Sequence, residues 1–297
     1  MRTETSLVRR VGALTLAGML LASCQTAPQP SPQTAAAVPA AQPSAVAAVS
    51  YAPASTAVAR GYSELVMDMA SGAELSSVNA DAPRYPASLT KMMTLYLLFE
   101  EVEAGRVSLS TPLTVSAKAA GQPPAKIGLK AGSTITVDEA IRALAVKSAN
   151  DVAITVAENL AGSESAFASR MTAKARALGL SRTRFVNASG LPDPAQVTTA
   201  RDMARLGRAL KTRFPQYASN FRARSFEHGG RSFRATNNLL GKVAGVDGLK
   251  TGYISLSGYN LVATARRGGQ QRLVVVMGGK SEASRDAKVT QLIEASF

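Results

Sequence analysis

The folded part of this 297-residue chain is predicted to be α+β, with a mainly antiparallel sheet built from both chain ends and an inserted helical subdomain. Strand-like patterns occur at the beginning and in the last third of this part, whereas the middle shows helical periodicity. The strand-like segments of the last third are separated by short glycine-containing turns. Such short connections join antiparallel neighbours, so they argue against an all-parallel sheet.

A hairpin and a long helix are the first predicted elements. Ser63–Met69 and Glu74–Val78 alternate or run apolar around Ser71-Gly72, which is typical of a β-hairpin. Apolar residues then recur at helical spacing over Leu89–Ala104, and Gly105 ends this helix.

Four more helices are predicted in the middle of the folded part. Thr136 and Glu139 form the pattern of a capping box, which opens a helix towards Val146. The other three are predicted over Asp151–Leu160, over Glu164–Leu178, and from Thr199 to the helix-breaking Pro215.

Strand patterns return in the last third. A hairpin is predicted from Phe221–Glu227 and Arg231–Thr236, which places His228 in an exposed turn. Three further strands and a closing helix are predicted over Leu249–Ile254, Tyr259–Arg266, Gln271–Met277 and residues 283–296.

The N-terminus carries export signals. Residues 1–23 have a basic start and a short apolar stretch, Val11–Leu21, which is typical of a signal peptide. Leu21–Cys24 resembles the lipobox of bacterial lipoproteins, so Cys24 is the predicted lipidation site, although a plain secretory signal is the alternative. Residues 24–57 are then a disordered tether rich in alanine and proline, and residues 58–297 a single catalytic domain.

These signals predict an exported protein, held by its lipid on the periplasmic side of the cell envelope. Gln25 stands where an aspartate retains some lipoproteins at the inner membrane, which favours the outer membrane. The formal net charge of +14 fits anionic surroundings. Aromatic residues make up only 5% of the chain, which argues against nucleic-acid binding.

Rare residues exclude several kinds of site. The chain has one cysteine and one histidine, so a disulfide framework, a cysteine zinc site and a poly-histidine metal site are impossible. No metal and no cofactor is therefore expected. Because so little histidine is available, a catalytic serine would need another base, and lysine is the plausible one.

Ser88 and Lys91 form an S-x-x-K pattern at the start of the first long helix. Residues three apart on a helix share a face, so the two side chains can meet. Unpaired N–H groups at a helix start can hold an oxyanion. Lys91 would act as a base only if burial or a neighbouring positive charge lowered its pKa. The alternative is a helix-capping serine beside a solvated lysine.

Two further tripeptides complete a set. Ser148-Ala149-Asn150 lies between two predicted helices, and Lys250-Thr251-Gly252 lies in a predicted strand. Lys250 and Thr251 could bind a carboxylate, and Gly252 would allow close approach of another backbone. S-x-x-K, S-x-N and K-T-G in this order are the motifs of class A β-lactamases and penicillin-binding proteins.

The match extends beyond these motifs. Similar segments occur across the domain: Tyr85–Thr94, Ile127–Gly132, Val146–Asp151, Phe185–Leu191, Val246–Tyr253 and Ser257–Asn260. With them the chain resembles the serine D-alanyl-D-alanine carboxypeptidases, which are low-molecular-mass penicillin-binding proteins, over about residues 60–280. The resemblance implies the β-lactamase/DD-peptidase-like fold and removal of the terminal D-alanine from peptidoglycan stem pentapeptides, with β-lactams as covalent inhibitors.

The resemblance also implies roles for the motif residues. Ser88 would be the acylated nucleophile and Lys91 its base, while Ser148 would relay a proton and Asn150 would orient Lys91 and the substrate amide. The K-T-G strand would bind substrate through Lys250, Thr251, Gly252 and Tyr253, with the backbone N–H groups of Ser88 and Tyr253 forming the oxyanion hole.

Three other functions stay open. A DD-endopeptidase acting on peptidoglycan cross-links would use the same residues in a wider cleft. A class A-like β-lactamase needs a glutamate for deacylation, and there is none between Leu180 and Pro215. A non-catalytic peptidoglycan-binding lipoprotein would not need the intact motifs. One departure from the family pattern is Ala188-Ser189, where relatives often carry Pro-His, and no catalytic role is assigned to that loop.

Overall fold

The sheet at the centre of the fold has five antiparallel strands in the order β2-β1-β9-β8-β7. The computed structural model describes Val58 and Arg60–Phe297. The strands are β1 (Ser63–Asp68), β2 (Glu74–Val78), β7 (Val246–Ile254), β8 (Gly258–Arg267) and β9 (Gln270–Gly279). The predicted antiparallel sheet from both chain ends is confirmed. The predicted signal peptide, Cys24 and the tether lie outside the described residues.

Helices and two small ribbons separate the two sets of strands. The helices are α1 (Lys91–Glu103), α2 (Ala117–Ala120), α3 (Val137–Arg142), α4 (Asn150–Ala161), α5 (Glu164–Ala177), α6 (Ala200–Arg213), α7 (Ala218–Arg222) and α8 (Glu282–Glu294). The ribbons pair β3 (Pro112–Thr114) with β4 (Thr134–Thr136), and β5 (Ser225–His228) with β6 (Arg231–Arg234). No helix of the described part is long and apolar enough to cross a membrane.

Helices cover both faces of the sheet. Residues of one strand face, such as Val274 and Val276, pack with Val289 and Ile293 of α8 in one apolar cluster. Their neighbours Leu273 and Val275 face the larger core, which contains most of α1, α4 and α6. Because successive residues of a strand point to opposite faces, a sheet covered on both sides needs an unbroken apolar run. The sequence of β9 shows such a run.

A predicted capping box begins one helix, and a predicted glycine ends another. Thr136 and Glu139 form both hydrogen bonds of a capping box at the start of α3. Gly162 ends α4 in a left-handed conformation, with φ of 73°. However, α3 ends at Arg142, and a π-helical turn continues from Ala143 to Lys147.

The prediction that a strand begins at Phe221 is wrong. Residues 218–222 form α7, and the strand begins at Ser225, because Phe221 packs from a helix against the ring of Phe99 at 6.5 Å between centroids. The predicted exposed turn position of His228 is also wrong. His228 is the last residue of β5 and is partly buried, with Nδ1 3.2 Å from Oε1 of Glu139. The sequence analysis missed α2, β3 and β4.

Candidate active site

Ser88 lies in a 3₁₀ turn, Ala87–Thr90, that leads directly into α1. Asn260 of β8 fixes the approach to this turn. Its buried side-chain amide donates to the carbonyl oxygens of Tyr85 at 3.1 Å and Pro86 at 3.2 Å. Its Oδ1 accepts from the N–H of Gly278 at 2.9 Å. The serine is therefore held against the sheet by one satisfied amide side chain.

Lys91 is fully buried and points at Ser88. Its Nζ lies 3.1 Å from the Ser88 Oγ and 2.8 Å from the Asn150 Oδ1, and it also donates to the carbonyl oxygen of Ser189. Burial lowers the pKa of Lys91 well below its ordinary value, and the nearby charge of Lys250 lowers it further, against the opposing effect of Asp151.

The S-x-N residues sit where the π-helical turn meets α4. Ser148 adopts a left-handed conformation, with φ of 63°, and its buried Oγ has no hydrogen-bond partner among the described residues. Asn150 is the first residue of α4, and its Nδ2 donates to the carbonyl oxygen of Pro123 at 3.0 Å. The structure brings Ser88, Lys91 and Asn150 into one hydrogen-bonded group, which Ser148 does not join.

The K-T-G residues lie on edge strand β7. Lys250 is buried, and its Nζ donates to the carbonyl oxygen of Thr251 at 3.0 Å. Burial and the charge of Arg285 lower the pKa of Lys250 to about 7. The Thr251 hydroxyl lies 2.7 Å from the hydroxyl of Thr236. Tyr253 is half exposed and packs on the ring of Tyr259.

Gly252 brings β7 against the serine turn. A Cβ at this position would lie 3.0 Å from the carbonyl oxygen of Pro86 and 3.1 Å from the backbone nitrogen of Ser88. The predicted close backbone approach is confirmed. The backbone of the K-T-G strand therefore lies directly beside that of the nucleophile candidate.

The Asn187–Gly190 loop also contributes, although the sequence analysis gave it no role. Ser189 supplies the carbonyl oxygen that accepts from Lys91, and Ala188 supplies one that accepts from the Thr94 hydroxyl at 2.7 Å. Backbone carbonyl groups are present at every residue, so no side-chain pattern could have revealed these contacts.

Asp151 is a second buried contributor that was missed. Its carboxylate accepts from the backbone N–H groups of Ile127, Gly128 and Leu129 at 2.8–3.3 Å. These bonds fix the 127–129 loop beside α4. The adjacency of Asp151 to the S-x-N motif was the only available signal.

Gly190 is expected to tolerate no side chain. It has φ of 85°, and a Cβ there would lie 1.9 Å from the carbonyl oxygen of Ala87. Gly190→Ala should therefore lower the free energy of unfolding by at least about 2 kcal/mol more than Gly229→Ala. Gly229 is a matched control because it has φ of 55° with nothing within 4 Å. Urea unfolding measures both changes, and equal losses would contradict the expected clash.

Acidic and metal-ligating side chains form no metal site in the described residues, where no three His, Cys, Asp or Glu are suitably grouped. The candidate site itself offers a serine hydroxyl, two buried lysines with lowered pKa values, and backbone N–H groups. This combination suits nucleophilic attack on a carbonyl group.

Known proteins resemble the chain over most of its length. The model of a family described as D-alanyl-D-alanine carboxypeptidase matches residues 50–281. D-alanyl-D-alanine carboxypeptidase DacA of Escherichia coli K12 is 36% identical over 242 residues, which cover 79% of this chain and 60% of the relative. The chain thus spans about 60% of the length of that curated relative.

Two solved structures show the same fold. Penicillin binding protein 5 of Haemophilus influenzae superimposes with a TM-score of 0.77 and 32% identity, covering 81% of this chain and 71% of the other. Penicillin-binding protein D2 of Listeria monocytogenes, in its ampicillin-bound form, superimposes with a TM-score of 0.69 and 31% identity. This match covers 78% of this chain and 95% of the other. These matches confirm the predicted β-lactamase/DD-peptidase-like fold.

Proposed function

Because the chain belongs to the family of D-alanyl-D-alanine carboxypeptidases, we propose that it is a serine hydrolase that removes the terminal D-alanine from peptidoglycan stem pentapeptides. The observation that carries this proposal is the position of the buried Lys91 amine, 3.1 Å from the Ser88 hydroxyl. The proposal requires Ser88 as nucleophile and Lys91 as general base.

Burial and the charge of Lys250 favour the neutral form of Lys91, and its three neighbours can accommodate that form. A neutral amine has two N–H groups and one lone pair. Two of its three neighbours, the oxygens of Asn150 and Ser189, can only accept hydrogen bonds. The third neighbour, Ser88, carries a hydroxyl that can donate. The two N–H groups therefore occupy the acceptors, and the lone pair is left facing the Ser88 proton.

Acylation follows from this arrangement. The Ser88 Oγ attacks the carbonyl carbon of the penultimate D-alanine while its proton passes to Lys91. The proton then reaches the nitrogen of the terminal D-alanine, which leaves as the free amino acid. Ser148 is the proposed relay for this transfer, since its buried hydroxyl has no partner within the described part of the chain. Water then cleaves the acyl-enzyme and regenerates Ser88.

The K-T-G strand supplies the substrate contacts. Lys250 and Thr251 are proposed to bind the terminal carboxylate, and the N–H groups of Ser88 and Tyr253 to hold the oxyanion. The close approach at Gly252 supports this, because it places the two backbones side by side. β-Lactams would acylate Ser88 in the same way, and the resulting acyl-enzyme would be hydrolysed slowly.

The pH dependence of kcat/KM should show the titration of Lys250. Its ammonium group is charged below its pKa of about 7 and loses the charge above it. Binding of a terminal carboxylate should therefore weaken as the pH rises through about 7. A peptide ending in D-alanine amide has no carboxylate and serves as the control substrate. An identical alkaline fall for the acid and amide peptides would contradict this role.

D-alanine release tests the function. A soluble pentapeptide ending in D-Ala-D-Ala should yield D-alanine, and a cross-linked muropeptide should stay intact. Cleavage of the cross-link instead would indicate an endopeptidase. A fluorescent penicillin should remain covalently bound to Ser88. Rapid hydrolysis of that label would indicate a β-lactamase, and absence of both turnover and label would indicate a binding protein.

The N-terminal organisation is part of the proposal. The sequence of residues 1–24 supports removal of residues 1–23 and lipidation of Cys24. Residues 24–57 would then be the tether to the periplasmic side of the envelope, and Gln25 favours the outer membrane. Cells fed a labelled fatty acid should label the wild-type chain and not Cys24→Ala. Equal labelling of both proteins, or no labelling of either, would contradict the lipid anchor.

A further inference from the structure

A polar groove with a cavity volume of about 490 Å³ lies between the β5–β6 hairpin and the segment that leads to β7. Its lining includes three exposed cations, Arg224, Arg234 and Lys242, and no acidic side chain. None of the three cations forms an ion pair or a side-chain hydrogen bond with any residue from Arg60 onwards. Two acids lie near the rim. Asp286 accepts from Asn238 and is paired with Arg285 at 2.7 Å. Glu227 lies opposite the lining residue Ser232 in the β5–β6 hairpin.

A buried amide in the same groove lacks a partner. Asn237 is 7% exposed, and its Oδ1 accepts from the N–H of Leu239 at 3.1 Å. Its Nδ2 has no hydrogen-bond partner in the described structure. An unpaired buried donor is costly, and a ligand oxygen would remove that cost. An unpaired donor in a groove that is also lined by unpaired cations suits an anion.

Arginine content alone does not single out this groove. A cavity of about 530 Å³ beside α6 is lined by Arg205, Arg208 and Arg213. There Arg208 donates to the carbonyl oxygens of Met69 and Ala70, each at 2.9 Å. Arg213 pairs with two glutamates, and Arg205 donates to the carbonyl oxygen of Gly179. The side chains of those arginines form hydrogen bonds and ion pairs within the fold. The side chains of Arg224, Arg234 and Lys242 form none with the described residues.

The groove adjoins the candidate active site through one short segment. Ala235 and Asn237 line the groove, while the hydroxyl of Thr236 between them accepts from the Thr251 hydroxyl at 2.7 Å. Thr236 lies at a bend in the chain just after β6. The residues that line the groove are therefore neighbours in the chain of a residue that contacts the K-T-G strand.

We propose that this groove binds carboxylate groups of peptidoglycan peptides and so provides a second attachment point on the polymer. The inference rests on the proposed function, which makes peptidoglycan the substrate. Arg224 and Arg234 bind the carboxylate, Asn237 donates to it, and Lys242 adds charge. The groove retains the enzyme on an insoluble substrate while another stem peptide occupies the catalytic site.

Sedimentation with purified insoluble peptidoglycan, stripped of protein and phosphate polymers, tests the groove. The double variant Arg224→Gln/Arg234→Gln should bind with a Kd raised roughly fivefold. Peptidoglycan whose carboxylates have been amidated should bind the wild-type chain as weakly as untreated peptidoglycan binds this variant. The control is Arg176→Gln/Arg184→Gln, which removes the same charge from exposed positions on α5 and the loop after it. This control should retain wild-type binding.

Other outcomes would overturn the inference. Unchanged binding by the Arg224/Arg234 variant would do so, as would equal weakening in the control. Loss of binding to phosphatidylglycerol vesicles with unchanged peptidoglycan binding would assign the groove to a membrane instead. D-alanine release from the soluble pentapeptide should be the same in wild type and variant. Failure of the wild type to release D-alanine would contradict the proposed function alone.

Discussion

Ser88→Ala is expected to abolish D-alanine release, with a loss in kcat of about 10⁴-fold or more. The substitution removes the only hydroxyl within hydrogen-bond reach of the Lys91 Nζ among the described residues. It leaves Lys250 and Thr251, the proposed contacts of the substrate carboxylate, in place, so substrate binding should persist. Release of D-alanine from the pentapeptide and covalent labelling by a fluorescent penicillin measure the effect.

The fold should survive this change, since Ser88 lies in a turn fixed by Asn260 through backbone oxygens. Ser169→Ala on α5 is a suitable control, because its hydroxyl bonds only to a carbonyl one turn earlier on the same helix. That control should keep full activity and labelling. A penicillin adduct on the Ser88→Ala protein would show that another residue is the nucleophile.

Lys91→Met is expected to slow acylation by about 10³-fold, which is within the usual range for loss of a general base. Methionine fills much of the same buried space but has no lone pair at the position of the amine. The second-order rate of penicillin acylation is the best measure, because it does not depend on product release. Peptide turnover should fall in parallel.

Lys280→Met provides the matched control. Lys280 is exposed just before α8, so its loss removes one positive charge without touching the site. Its acylation rate should equal that of the wild type. If Lys91→Met acylated within tenfold of the wild-type rate, the base would have to be another group, and the fully buried Lys250 would be the next candidate.

Local patterns predicted the parts of the fold that local chemistry determines. The turn at Ser71-Gly72, the capping box at Thr136 and the glycine after α4 each act within a few residues, and each was found in the structure. Phe221 was misassigned because an aromatic residue near a strand pattern favours a strand. Its packing against Phe99, which is 122 positions earlier in the numbering, decides for a helix.

The same distinction applies to the candidate site. The motifs identified the side chains Ser88, Lys91, Asn150 and Lys250, and the structure brings the first three together. What the sequence did not show is how they are held. The Ser189 carbonyl, Gly190 against Ala87, and Asn260 against Tyr85 are contacts between segments far apart in the chain. Such contacts exist only after folding and leave no local pattern.

The bonds made by Asn260 determine when the site can exist during synthesis. This residue ties the serine turn to Gly278 near the end of β9, and β1 lies between β2 and β9 in the sheet. A ribosome-bound chain that has not yet reached β9 already contains all three motifs but lacks the partner that completes this connection. The candidate site is therefore completed late, so a nascent chain that has not yet reached β9 has no finished site.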